Sequence, residues 1–206
     1  MTETQTTLTP QHSDYVGGVG APGSRIAFVG EFPSKDDVAA GLPFSGSIGR
    51  FFDTMLARSG ITRQDCYFTN LMKVRPPNND FGAFYLDERR HKPSQLLTDS
   101  ITQLRTELAS IHPNIIVCLG AEAMRAFLGR PINLDSYRGS IFSTELIAGI
   151  KTKVMCTYSP AFVIRTYGAE RKDEFGRAEG NIKASKAIGE HDLKRANAHS
   201  TSSKLL

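Results

Sequence analysis

Glu31, Asp36 and Asp37 stand in GEFPSKDDVAAGLPFSG, residues 30–46, among Pro33, Pro43 and several glycines. The stretch follows a short apolar run and precedes a helical pattern, so its acids fall where a strand hands over to a helix. Three further segments share that character: TNLMKVRPPNND at 69–80, LGAEA at 119–123 and YSPAFVIR at 158–165. Each alone has an ordinary explanation, as a turn, a set of solvated charges or a core aromatic. Together they hold most of the unusual polar, Pro and Gly chemistry of the chain. If they meet on one edge of one sheet, they build a pocket for polar chemistry, and the reaction stays open.

Several common chemistries are excluded. GLPFSGSIG has glycines ahead of a helix but matches neither G-x-x-x-x-G-K-[ST] nor G-x-G-x-x-G, so it is a poor phosphate cradle. Ser45 and Ser47 lack the setting of a nucleophile elbow. Cys66, Cys118 and Cys156 are widely spaced, with no C-x-x-C and no His pair, so no metal site is predicted. They read as small apolar groups inside strands.

The elements that must position these loops are short apolar runs alternating with helical periodicity. RIAFVG, CYFTN, NIIVCLG and KVMCTY read as buried strands. After Ser47, a predicted N-cap, Ile48, Phe51, Phe52, Met55 and Leu56 make an apolar stripe that stops at Gly60. Ser94 caps a second helix, in which Leu97, Ile101, Leu104, Leu108 and Ile111 recur at helical spacing before Pro113. A third runs from Ala121 to Leu128 and closes at Gly129, and a polar last helix covers NIKASKAIGEHDLKRANAH. The expected fold is a three-layer α/β/α domain around a mostly parallel four-stranded sheet, with the unusual loops at the carboxyl ends of the strands.

The chain has 206 residues, enough for one sizeable core, and its 25 Lys and Arg against 21 Asp and Glu permit contact with nucleic acid without demonstrating it. Residues 1–24 are rich in Thr, Gln, Ser and Gly and read as a flexible arm. Residues 25–197 read as the domain and 198–206 as a disordered tail. No basic region followed by an apolar stretch opens the chain, and no run of about 18 apolar residues occurs, so a soluble cytoplasmic monomer without membrane contact is expected.

The segment GEFPSKDDVAAGLPFSGSIGRFFDTMLARSGITRQDCYFTNLMKVRPPNN resembles the amino-terminal half of the uracil-DNA glycosylase superfamily, closest to its family 4 and to phage glycosylase-like proteins. That group shows a G-E-x-P-G loop, a P-F-x-G segment before a helix, and T-N-x-x-K-x-R-P-P-x-N. The resemblance continues through IHPNIIVCLGAEAMRAFLG, YRGS and VMCTYSPAFVIR, covering roughly residues 25–167. It implies a partner, DNA containing a damaged or modified base, in a bacterial cell or a phage-infected host.

It also implies roles. Phe44 stacks on an extruded base, and Asn70 reads uracil by accepting from N3–H and donating to O4, the opposite of what cytosine presents. Glu31 and Asn79 position the hydrolytic water, with Asp37 as a third polar wall. Lys73 and Arg75 lie near the DNA backbone, Arg165 pairs with a phosphate, and Phe162 and Val163 fill the gap left by the flipped nucleotide. The chain departs from the family at several places. Val74 stands where a family 4 cluster cysteine falls, so no iron–sulfur cluster and no other cofactor is predicted. Ser159 precedes Pro160 where the family carries a histidine that donates to the base's O2, Asp80 replaces a common arginine, and Phe32 and Ser34 replace small residues of the first loop. Retention of Glu31, Phe44, Asn70 and Asn79 favours a glycosylase; Ser159 favours a DNA- or protein-binding module on the same fold.

Overall fold

The apolar runs form strands β1 (Ile26–Gly30), β2 (Cys66–Asn70), β3 (Ile115–Leu119) and β5 (Ile150–Thr157) in a computed structural model that describes residues 14–167 and 178–201. β1 to β3 are buried along their whole length, because helices cover both faces of the sheet. Side chains alternate between two cores. Ile26, Phe28, Ile115 and Val117 meet α2 (Gly46–Arg58) and α7 (Ala178–Ser200) through Phe52, Met55, Leu56, Leu193 and Ala196. Ala27, Val29, Ile116 and Cys118 meet α3 (Gln95–Ile111) and α4 (Ala121–Leu128) through Leu104, Leu108, Met124 and Phe127. This is the expected three-layer arrangement.

The sheet has five strands rather than four, in the order β2-β1-β3-β5-β4. β4 (Ile141–Ile147) is the added member and the single antiparallel one, joined to β5 by a hairpin at Gly149, whose φ is 83°. It contains Ser143, Thr144 and Glu145 and alternates exposed with buried positions, so it lacks the continuous apolar run that marks a strand covered on both faces.

Both domain limits also shift. Residues 14–24 lie against β2 instead of forming an arm: Val16 is buried, and Val19 exchanges N–H and C=O bonds of 2.8 Å with Phe68. Composition averaged over the segment hides the one buried anchor, Val16, and the outer edge of β2 supplies backbone partners to the exposed Val19. At the other end α7 continues to a buried Ser200, whose carbonyl accepts from Asn114 Nδ2 at 2.6 Å, while Lys153 Nζ donates to His199 O at 2.7 Å. The expectations for residues 1–13 and 202–206 lie outside the described residues.

Ser45, not Ser47, precedes α2, and an unanticipated helix α1 (Lys35–Ala40) begins directly after the first loop. Ser94 caps α3, accepting from Leu97 N at 3.2 Å. The order of the sheet sets the site. From β1 the chain crosses to β2 on one side and then to β3 on the other, so the loops after β1 and β3 diverge and leave a crevice at their carboxyl ends.

Candidate active site

A cavity of about 330 Å³ opens at that crevice. Asn70 at the end of β2 and Glu31, Phe44 and Ser159 in loops line it, and Asp37, Arg75, Asn79 and Arg165 complete its polar rim. The loops singled out by sequence therefore meet.

The floor is built on a close approach. Gly30 and Asn70 are register partners at the ends of β1 and β2. A Cβ at Gly30 would lie 2.2 Å from Asn70 Oδ1 and 2.9 Å from Phe44 Cζ, so the missing side chain is what lets the carboxamide and the aromatic edge converge. Asn70 is 2% exposed, and its Nδ2 is buried with no hydrogen-bond partner. Native folds rarely leave such a donor unpaired without a reason.

Phe44 is held with φ at 54°, in the left-handed region that a non-glycine residue seldom adopts. Its ring packs on Phe52 and Phe68, with centroids 5.4 and 5.9 Å away. Its carbonyl accepts from Arg63 Nη2 at 3.3 Å, and Gly49 allows that carbonyl to approach α2, since a Cβ there would fall 2.0 Å from it. The same loop is clasped by Asp37. One carboxylate oxygen accepts from Ser34 N at 2.8 Å; the other accepts from Ser45 N at 2.7 Å and Ser45 Oγ at 2.9 Å. Asp37 borders the cavity, yet it is buried and its oxygens are engaged, so it shapes the loop that presents Phe44 rather than serving as an open polar wall.

Glu31 crosses the crevice to α4. Its Oε1 accepts from Glu122 N at 3.0 Å, and a Cβ at Gly120 would lie 2.4 Å from it. Burial, the largest influence, raises the Glu31 carboxyl above its ordinary value, and the nearby Glu122 carboxylate adds to this. The bond from Glu122 N and the charges of Arg90 and Arg165 oppose it. Glu122 is itself fixed by Tyr85 Oη at 2.7 Å and Arg90 Nη1 at 2.9 Å. Nothing in the sequence pattern marks Arg63, Arg90 or Glu122 as supports of the site, because their partners are remote in the chain.

On the rim, Asn79 adopts a left-handed φ of 56°, and its Oδ1 accepts from Arg75 Nε at 2.9 Å. Ser159 Oγ accepts from Phe162 N at 3.1 Å at the start of α6 (Pro160–Tyr167), which leaves its O–H as a donor. The strand end before it is anchored by the buried Asp192, which accepts from Thr157 Oγ1 at 2.7 Å and Arg138 Nη1 at 2.8 Å.

Three expected DNA contacts lie off the cavity. Lys73 is buried and ion-paired with Glu107 at 2.6 Å, so it cannot meet a phosphate. Val163 is 3% exposed and packs inward from α6, which rules it out as a wedge. Phe162 is 39% exposed and stacks on Tyr158, with ring centroids 5.1 Å apart. The helix turns the two neighbours onto different faces, a distinction that the pair of apolar letters does not carry.

A family model described as the Uracil DNA glycosylase superfamily matches residues 18–182. The chain belongs to the uracil-DNA glycosylase superfamily. Relatives include the Type-4 uracil-DNA glycosylase of Archaeoglobus fulgidus, 34% identical over 168 residues that cover 79% of this chain and 77% of that protein. The protein of the same name from Thermotoga maritima is 32% identical, with 80% of each chain covered, and that of Pyrobaculum aerophilum is 30% identical, with 73% of each covered.

A four-cysteine cluster of the family 4 kind does not fit the thiols of this superfamily member. The chain has three cysteines, each buried in a strand. Cys118 and Cys156 are register partners facing α3 and α4, while Cys66 faces the opposite core. Burial raises the Cys66 thiol to about 12 and the Cys156 thiol to about 11, and holds that of Cys118 well above its usual value, which disfavours the thiolates that iron requires. Among the described residues no group of three or more His, Cys, Asp or Glu is placed to hold a metal, and no described helix is long and apolar enough to cross a membrane.

Asp37→Ala removes the acceptor for two donors of the Phe44 loop, Ser45 N and Oγ, and for Ser34 N at the start of α1. The expected result is a loss of about 1–3 kcal/mol in urea unfolding at neutral pH, with the slope of the transition unchanged.

Proposed function

We propose that the protein removes uracil, or a closely related modified pyrimidine, from DNA by hydrolysing the N-glycosidic bond. The observation that carries this reading is the buried, unpartnered Nδ2 of Asn70 at the floor of a cavity beside the Phe44 ring. A uracil ring stacked on Phe44 supplies the missing acceptor through O4 and donates N3–H to Oδ1. Cytosine has an amino group at C4 and a bare N3, and so offers neither. One bidentate contact of this type is worth about 1–3 kcal/mol of discrimination.

In the reaction, water adds to the sugar carbon as the bond to the base breaks, and the bonding electron pair leaves with the base. Glu31, with Asn79 beside it, orders that water and takes its proton, and Glu31's charge favours the cationic sugar. Ser159 donates its O–H to the base's O2 as negative charge builds there. A hydroxyl is a weaker donor than the histidine of the family pattern, and losing a well-placed donor costs about 10²–10³ in rate, so a slow enzyme is expected. Arg75 and Arg165 on the rim meet the DNA backbone, and the exposed Phe162 is the remaining candidate for the gap left by the flipped nucleotide. Three strand-buried thiols in place of four cluster ligands support work without an iron–sulfur cofactor. A soluble monomer acting beside the DNA, in a bacterial or phage-infected cell, fits this reading.

Single-turnover release of base from single-stranded or mismatched uracil DNA tests it. Wild type is expected to release uracil, Asn70→Ala to abolish release with non-specific DNA binding nearly unchanged, and Ser159→His to raise the rate. If wild type releases none, Ser159 favours the second reading, a DNA-binding module on this fold. The pH profile supplies a separate check. The base must be ionised, and burial raises the Glu31 carboxyl, so the rate is expected to fall with decreasing pH through a midpoint above the usual carboxylate value of about 4.3. Glu31→Gln should remove that limb and about 10²–10⁴ of the rate.

A further inference from the structure

Lys73 is 5% exposed, and its ammonium has three donors to place. They go to Thr69 Oγ1, to the backbone oxygen of Asn70 at 3.0 Å and to Glu107 Oε2 at 2.6 Å. Glu107 Oε1 in turn accepts from Tyr67 Oη at 2.9 Å. Residues 14–20 close over this group. Val16 N donates to Lys73 O at 2.8 Å, and a Cβ at Gly18 would fall 2.3 Å from both Glu107 Oε1 and Tyr67 Oη.

We propose that Lys73 is a positioning residue for the base reader: with Glu107 and Tyr67 it forms a buried clamp that fixes the backbone of Asn70 and hence the orientation of its carboxamide. The inference rests on the reading of Asn70 as the group that recognises uracil. β2 ends at Asn70, where the chain leaves the sheet in a turn held by Leu71 N to Gly30 O at 2.8 Å and Met72 N to Glu31 O at 3.0 Å. Lys73 reaches back from the far side of that turn to the carbonyl carried by the same Cα as the reading side chain. An aliphatic residue of the same length would fill the space without desolvating a charge, so what the ammonium adds is direction. Burial pulls the lysine's pKa down, and the Glu107 carboxylate opposes the shift. A reading group must be held to about 0.5 Å, and a strand end alone is a loose support.

The test uses the full chain. In 15N relaxation, the side-chain amide of Asn70 is expected to drop from the rigid range, about 0.85 in order parameter, toward the flexible range below about 0.6 when Lys73→Met is introduced. Uracil excision under single-turnover conditions is expected to fall about tenfold for Lys73→Met, while affinity for uracil-free DNA changes by less than about twofold. A lysine that only stabilises the fold would lower excision and uracil-free DNA binding by the same factor and leave the Asn70 order parameter unchanged, and either result overturns the proposal. Should Lys73→Met fail to fold, Glu107→Gln, which keeps the shape and removes the counter-charge, is expected to act in the same direction on both readouts. If wild type excises no uracil, the glycosylase reading fails, and the order parameter alone decides the clamp.

Discussion

Two parallel strands end side by side, one in Gly30 and the other in Asn70, and the absence of a Cβ on the first lets the second place a carboxamide where a side chain would otherwise stand. This steric allowance sets the rest of the site. Phe44 can approach the same point only because Gly30 is bare, and only because Asp37, Arg63 and Gly49 hold its loop in a left-handed turn that a phenylalanine does not choose by itself. The carboxamide is then a buried polar group with one donor unspent, in a fold that satisfies its other buried polar side chains among the described residues. On the proposed reading, a base with an acceptor at the right place completes it.

The electrostatic side of the site follows from the same sheet order. Because β1 and β3 diverge in their connections, Glu31 can lean across to the start of α4, where Gly120 leaves room and Glu122 N offers a bond. Burial and the Glu122 carboxylate push its proton affinity up, while Arg90 and Arg165 hold it down. A carboxylate balanced in this way can order and deprotonate water beside a sugar that is becoming cationic. Ser159 also lines the cavity, and on the proposed reading its hydroxyl is a weaker donor than an imidazole, which makes the expected rate, rather than the expected chemistry, the point of departure from the family pattern.

Much of this was legible in the chain. Continuous apolar runs marked the strands covered on both faces, Ser94 and Gly129 marked helix ends, and the unusual loops were expected at the carboxyl edge where they lie. Elements without that contrast were missed. β4 is a polar edge strand, α1 has six residues, and the buried Val16 and the backbone-paired Val19 sit in a segment whose average composition is that of a loop. Lys73 shows the limit most clearly. A lysine two positions before an arginine in a loop reads as a surface cation, and only the three-dimensional neighbourhood of Glu107, more than thirty residues away, turns it inward.

The most direct test is a crystal structure of the protein soaked with free uracil. The account predicts the ring stacked on Phe44, with O4 about 2.9 Å from Asn70 Nδ2 and N3 at similar distance from Oδ1. A cavity that stays empty at saturating uracil, or a ring bound with its Watson–Crick edge turned away from Asn70, would contradict it.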